Sequence, residues 1–298
     1  MTTSRPAPNL TLGTVELTVA DLDRSLDYYT RSIGLKVLHH EPGGAWVGVP
    51  GRVLAVLRER PGAGLPPASS PGLSHFAPQV PTPADLARFV KHYTAGHSEF
   101  ELVDHSVAHS CYVMDPDGHC VEVTCARPRE EWRRQGGRPA VVADPLKPED
   151  FTDEPGADEP YAGLPAGTEM GHVQLKVTDA ELEATEPFYT GLLGFEVQGR
   201  LGTMFLAIGV TEHRALLVLT NRFSPDGGEP APEDTAHLVG VDLLLPTAKE
   251  MRALAERLTA AGYPHALSAD VLKVRDPSGN LLRFGANAGR ATRPALPG

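Results

Sequence analysis

The stretch LGTVELTVADLDRSLDYYTRSIGLKV, Leu12 to Val37, returns as MGHVQLKVTDAELEATEPFYTGLLGFEV, Met170 to Val197, and this repeat decides the fold. Gly13 matches Gly171 at an offset of 158, whereas Tyr29 matches Tyr189 and Gly34 matches Gly194 at 160, so the second copy carries two extra residues. Farther on, Asp115-Pro116-Asp117-Gly118 returns as Asp276-Pro277-Ser278-Gly279 at an offset of 161. Self-similarity on this scale marks copies of one structural unit that bury a core together, so two halves of like layout are expected.

Each half is itself double. Thr14 to Val19 alternates as a strand, Leu22, Leu26, Tyr29 and Ile33 recur at helical spacing over Asp21 to Ser32, and Gly34 stops that helix before a strand over Leu35 to His40. Trp46 to Val49 and Arg52 to Arg58 read as a hairpin around Pro50-Gly51. A second strand-helix-three-strand unit begins at His75, with a helix over Ala84 to Ala95 and a last strand, His119 to Cys125, after the Asp115-Pro116-Asp117-Gly118 turn. That turn is expected to expose its carboxylates to water, with Gly118 supplying a positive φ. A third unit starts at Gly171 and a fourth near Leu238, with a helix over Ala248 to Ala261 and a last strand Asn280 to Phe284. The divisions are thus 9–126, a Pro-, Gly- and acid-rich connection over 127–168 without periodicity, and 169–288; so long a connection is either functional or flexible.

Composition narrows the function. A net charge of -11 with no basic stripe argues against nucleic acid as a partner, because phosphate contacts need clustered Lys and Arg. No apolar run approaches the roughly 18 residues of a spanning helix, and Met1 to Pro8 lacks a signal-peptide core, so a cytoplasmic protein without membrane contact is expected. Cys111, Cys120 and Cys125, odd in number and crowded, read as free thiols.

The four units, the paired HFA and GHVQL openings and the DPDG-type turns resemble the vicinal oxygen chelate superfamily of glyoxalases, bleomycin-resistance proteins and extradiol dioxygenases. More narrowly, GLSHFA, DPDGHCVEV, RPREEW, LPAGTEMGHVQLKV and DPSGNLLRF resemble two-domain bacterial catechol 2,3-dioxygenases. The resemblance implies an α+β fold in which four βαβββ units form two cupped mixed sheets, with metal ligands drawn from the first and last strands of paired units. At the first-strand position the units offer Thr14, His75, His172 and Gly240, and at the last-strand position the second and fourth offer Glu122 and Arg283. His75, Glu122 and His172 are therefore the expected ligands, which requires the second and third units to share one cup and the first and fourth the other.

Two imidazoles and one carboxylate are the facial triad of non-haem iron(II), which leaves positions for substrate and dioxygen. Iron(II) leads on that ground, while manganese(II), zinc(II) and nickel(II) stay open on ligand type. Strand alternation places Gln174, Thr124 and Cys120 on the ligand face. His105, His109 and His213 are candidates for acid or base work because imidazole titrates near neutral pH, and the resemblance favours His105 and His213, leaving His109 and Glu212 as further substrate-binding residues. In the resembling proteins Glu stands at the position of His109, His at Gln174, and a Tyr-His-His-His run where this chain has Thr211-Glu212-His213-Arg214. The expected activity is extradiol cleavage of a small aromatic diol by dioxygen. A different metal-dependent isomerase, lyase or tailoring enzyme, and a non-catalytic small-molecule-binding or resistance protein, are the alternatives, and a homodimer is left open.

Overall fold

The computed structural model describes residues 9–180, 182–211, 214–223 and 227–286. The first unit comprises β1 (Thr11–Val19), α1 (Leu22–Asp27), β2 (Lys36–Glu41), β3 (Gly44–Val49) and β4 (Arg52–Glu59). The second comprises β5 (Gly72–Gln79), α2 (Pro83–Gly96), β6 (Glu101–Asp104), β7 (Ala108–Met114) and β8 (Cys120–Ala126). The connection contributes the short strands β9 (Arg134–Gln135), β10 (Arg138–Pro139) and β11 (Asp144–Pro145). The third unit holds β12 (Glu169–Lys176), β13 (Glu196–Leu201), β14 (Phe205–Thr211) and β15 (Arg214–Thr220), and the fourth holds β16 (Leu238–Leu245), α3 (Ala248–Ala260), β17 (His265–Leu267), β18 (Val271–Arg275) and β19 (Leu281–Ala286).

The repeat survives down to the backbone of the helices. After α1 the chain widens into a π-turn over Tyr28–Ser32, with the Ile33 N–H donating to the Tyr28 carbonyl at 3.2 Å. The third unit has the matching turn at Pro187–Leu192, where the Leu193 N–H donates to Phe188 at 2.9 Å. Gly34 and Gly194 follow at φ 83° and 87°, a conformation that a Cβ disfavours. At Gly34 a Cβ would also lie 2.4 Å from the Tyr161 hydroxyl of the connection, which donates to the Ile33 carbonyl at 2.6 Å. The connection is therefore bound to the fold.

The strands form two large mixed sheets, ordered β17-β18-β19-β16-β1-β4-β3-β2 and β11-β6-β7-β8-β5-β12-β15-β14-β13. Each sheet draws one unit from each half of the chain: β1 pairs antiparallel with β16, and β5 with β12. The second and third units thus share one sheet, as the ligand positions demanded. Leu, Val, Phe and Tyr side chains from both sheets and from the helices form one continuous core.

The turns depart from expectation. Asp115 and Asp117 are each only 4% exposed, so their carboxylates are buried. Asp115 accepts from the Tyr29 hydroxyl at 2.9 Å and from the Asp117 and His119 N–H groups, while Asp117 meets Arg24 and Ser25. Asp276 accepts from the Tyr189 hydroxyl at 2.9 Å in the same way. Each turn carboxylate therefore clamps the helix of the preceding unit, a long-range role that turn composition conceals.

Candidate metal centre

His75 projects from β5, Glu122 from β8 and His172 from β12, neighbouring strands at the middle of the nine-stranded sheet. The Nε2 atoms of His75 and His172 are 3.0 Å apart, and each approaches Glu122 Oε2, at 2.9 and 3.0 Å. Neither imidazole is aligned to hydrogen-bond that oxygen, which is buried without a hydrogen-bond partner. Such an orphaned acceptor is costly unless a cation takes the place of the missing proton donor. These three lone-pair atoms form a nearly equilateral triangle. The triangle is small enough for one divalent ion to be held by all three atoms.

Electrostatics act on two of the three donors. Burial lowers the His75 pKa, and Glu122 offsets this only in part, which favours the neutral ring that a metal requires. Burial acting alone would raise the Glu122 carboxyl, but the neighbouring His172 and His75 hold it well below the usual carboxylate range. Its other oxygen, Oε1, accepts from the Ser110 hydroxyl at 2.6 Å, and Ser110 in turn touches the Thr124 hydroxyl at 2.9 Å. Ser110 thereby fixes the carboxylate's rotation.

The triangle faces a cavity of about 250 Å³. Of the expected residues, His105, Thr124 and Gln174 line it. His105 Nδ1 donates to the Val142 carbonyl at 2.9 Å, which leaves Nε2 of the neutral ring to accept from the Tyr112 hydroxyl at 2.7 Å. The same Nε2 is 3.9 Å from Glu122 Oε1, the carboxylate oxygen that is not part of the triangle. Gln174 donates to the Ser74 hydroxyl at 3.2 Å. His109 lies elsewhere, half-buried against Phe151 and 3.9 Å from Asp104, and burial and Arg127 lower its pKa. Cys120 does not line the cavity. His213 and Glu212 lie outside the described residues.

Sequence reasoning missed Ser110 and Tyr112 on β7, although Tyr112 is the direct cross-strand partner of Glu122 and Ser110 that of Thr124. It also missed that Trp132 and Pro139 to Val142, from the connection, wall the cavity.

The eight-stranded sheet carries the equivalent positions, and there they are closed. Thr14, Gly240 and Arg283 stand where His172, His75 and Glu122 stand. Arg283 Nε binds Asp242 Oδ1 at 2.6 Å, its other nitrogen meets Glu16, and Thr14 bonds Asp242. Arg58 joins Glu16 at 2.9 Å to Glu41 at 2.5 Å and lies 4.7 Å over the ring of buried Trp46. One copy of the site therefore holds lone pairs and a cavity, the other an ion-pair cluster capped by an indole.

The chain matches the family model described as Glyoxalase/Bleomycin resistance protein/Dioxygenase superfamily over residues 11–123. It is 34% identical over 286 residues to the catechol-2,3-dioxygenase of Bacillus subtilis (strain 168), covering 92% of this chain and 96% of that relative. Among solved structures it is similar to a candidate dioxygenase from Bacillus subtilis subsp. subtilis str. 168, with a TM-score of 0.65 and 14% identity over 96% of this chain and 87% of that one. It is also similar to glyoxalase I from Zea mays, with a TM-score of 0.58 and 17% identity over 94% and 93% of the two chains. At such identities the structural likeness speaks for the fold.

Proposed function

This chain belongs to the glyoxalase/bleomycin resistance/dioxygenase superfamily, and on that premise we propose that it is a metal-dependent dioxygenase that cleaves the ring of a small aromatic vicinal diol. The observation that carries the reading is the His75–Glu122–His172 triangle, with edges of 2.9 to 3.0 Å, facing a largely apolar cavity. Two imidazoles and one carboxylate are the ligand set of non-haem iron(II), and the similarity to a catechol-2,3-dioxygenase supports the same choice. When bound, the metal supplies Lewis acidity toward the diol oxygens and a place for dioxygen beside them.

The chain's own residues then have separable tasks. Ser110 holds Glu122 in rotation, so the ligand oxygen does not swing away. His105 Nε2 is the proton station: it accepts from Tyr112 when neutral, and the proton of a diol hydroxyl can reach it directly or through that phenol. Burial and the Glu122 charge raise the Tyr112 pKa, which keeps the phenol protonated, so that once His105 holds a proton of its own the phenol can donate toward a diol oxygen. Trp132 and the Pro139–Val142 wall limit water around the reactants. No further His, Cys, Asp or Glu joins the three ligands among the described residues, which favours this reading over an isomerase that needs a fourth protein ligand.

The test is to load the purified protein anaerobically with iron(II), admit oxygen and follow oxygen uptake and ring-opened product over a panel of catechols. Oxygen uptake matched mole for mole by product supports the dioxygenase. Iron-loaded protein that consumes no oxygen with any diol overturns it, and protein that takes up no metal points to the binding module.

A further inference from the structure

Cross-strand partners on the concave face form a row leading away from the metal triangle: His75, Gln174, Val218, Ala207 and Gly199. Strands lie about 4.8 Å apart, so Ala207 stands three strands, or about 14 Å, along the sheet from His75. A bare catechol ring held at the triangle covers only the first part of that row. What would fill the remainder is visible in the other sheet. There the same register pairs His39 with Trp46 where this sheet pairs Gly199 with Ala207, and Trp46 faces Val56 as Ala207 faces Val218. The His39 and Trp46 rings pack at 4.7 Å and occupy the space that Gly199 and Ala207 leave open. Val141 of the connection limits it, with its Cγ2 3.7 Å from where a Gly199 Cβ would be.

The walls are mostly apolar here, through Val107, Val141, Phe205, Ala215 and Val218, with the uncharged amide of Gln198 beside Gly199, and no Lys, Arg or Asp lines the cavity among the described residues. A carboxylate on the substrate ring would lose its water without gaining a counter-ion from the described residues, whereas an alkyl or aryl group would gain from burial.

We propose that Gly199 and Ala207 form a substituent pocket that selects a catechol carrying an uncharged, apolar side group; this rests on the reading of the site as a diol-cleaving centre. Burial contributes about fourfold in affinity per methylene, so a fully buried propyl chain gains about 50-fold over bare catechol.

The experiment measures dissociation constants by calorimetry on protein loaded with zinc(II), so that no turnover intervenes, for catechol, propylcatechol, phenylcatechol and dihydroxyphenylacetate. Ring-cleavage kinetics with iron(II) run in parallel. The wild type is expected to bind propylcatechol tens of times more tightly than catechol, and dihydroxyphenylacetate more weakly than either. Ala207→Phe, with melting temperature and metal content checked, should reduce the propyl-to-bare ratio to near one. Val141→Ala should move the preference toward larger groups, which keeps the proposal testable if the Phe variant misfolds. A wild-type ratio near one, a preference for the carboxylate, or a ratio unchanged in both variants overturns the pocket while leaving the diol-cleaving site intact. Failure of every catechol to bind or be cleaved instead overturns the site reading itself.

Discussion

Arg283→Met measures what the ion-pair cluster contributes to the closed cup. The guanidinium serves Asp242 and Glu16 together, so the substitution strips a partner from two carboxylates while keeping most of the side chain's apolar length. Removing one member of a fully buried pair costs about 3–5 kcal/mol. Two features reduce this: Glu16 keeps Arg58 at 2.9 Å, and the Asp242 side chain is 32% exposed, so water replaces part of the lost contact. A loss of about 2–3 kcal/mol at neutral pH follows. Its pH dependence has a definite sign. Burial acting alone would raise the Glu16 carboxyl, but Arg58 and Arg283 outweigh burial and hold it below its ordinary value of 4.5. A carboxylate lowered in the folded state stabilises the fold above its unfolded pKa and loses that contribution as pH falls through the folded one. The deficit of Arg283→Met should therefore be largest near pH 7 and shrink on acidification below about 4.5. Urea denaturation near pH 7 and near pH 4, followed by circular dichroism, reads both quantities. Metal content serves as the control, because the triangle belongs to the other sheet. A loss below about 0.5 kcal/mol, equal at both pH values, would mean that these pairs behave like exposed surface contacts and would refute the reasoning.

Alanine at His75, Glu122 or His172 should abolish stoichiometric metal binding while the far-ultraviolet spectrum is kept; full occupancy in any one variant by elemental analysis would remove that residue from the ligand set. Ser110→Ala should weaken metal affinity by about 10- to 100-fold in chelator competition, since Glu122 loses the donor that orients it, and an unchanged affinity would show that packing alone holds the carboxylate. His105→Ala should lower turnover of the preferred diol by roughly 10² to 10⁴ with metal content intact. Equal turnover would place the proton station elsewhere. Tyr29→Phe and Tyr189→Phe should each cost about 1–3 kcal/mol, because Asp115 and Asp276 are buried and lose a hydroxyl donor. A variant as stable as the wild type would show that backbone N–H groups suffice at that turn.

The hairpin at Asp115–Gly118 shows how far sequence reasoning reaches. Counting outward from the turn sets Met114 against Cys120, hence Tyr112 against Glu122 and Ser110 against Thr124, so both missed neighbours of the carboxylate follow from register alone. The same alternation turns His109 to the opposite face from Ser110 and Tyr112, and resemblance to a position in other proteins hid that. The repeat itself was legible because Gly34 and Gly194 must adopt positive φ and the turn aspartates must clamp a tyrosine, so the chemistry is the same in both halves. The connection was not. Val141 and Val142 have no period, and their place depends on Asp144 pairing with Asp104 and on Tyr161 reaching Ile33, contacts 40 and 128 residues long. The buried state of Asp115 was illegible for the same reason, since its partner Tyr29 lies 86 residues earlier.

Pairing first with fourth and second with third also sets an order of events during synthesis. Val15 faces Val241 and Phe76 faces Val173, so one central ladder joins the first unit to the fourth across most of the polypeptide, and the other joins consecutive units across the whole connection. Such distant pairings are slow to find, and loop closure must precede the burial that rewards it. A nascent chain that has just released Glu122 already carries two of the three proposed ligands, but β5 still lacks its β12 neighbour and β1 its β16 neighbour. Both strands then expose hydrogen-bonding edges to any other extended chain. Metal capture becomes a late event that waits for His172 to dock, and the closed cup, completed last by β19, becomes the seal on a fold whose two ends must meet.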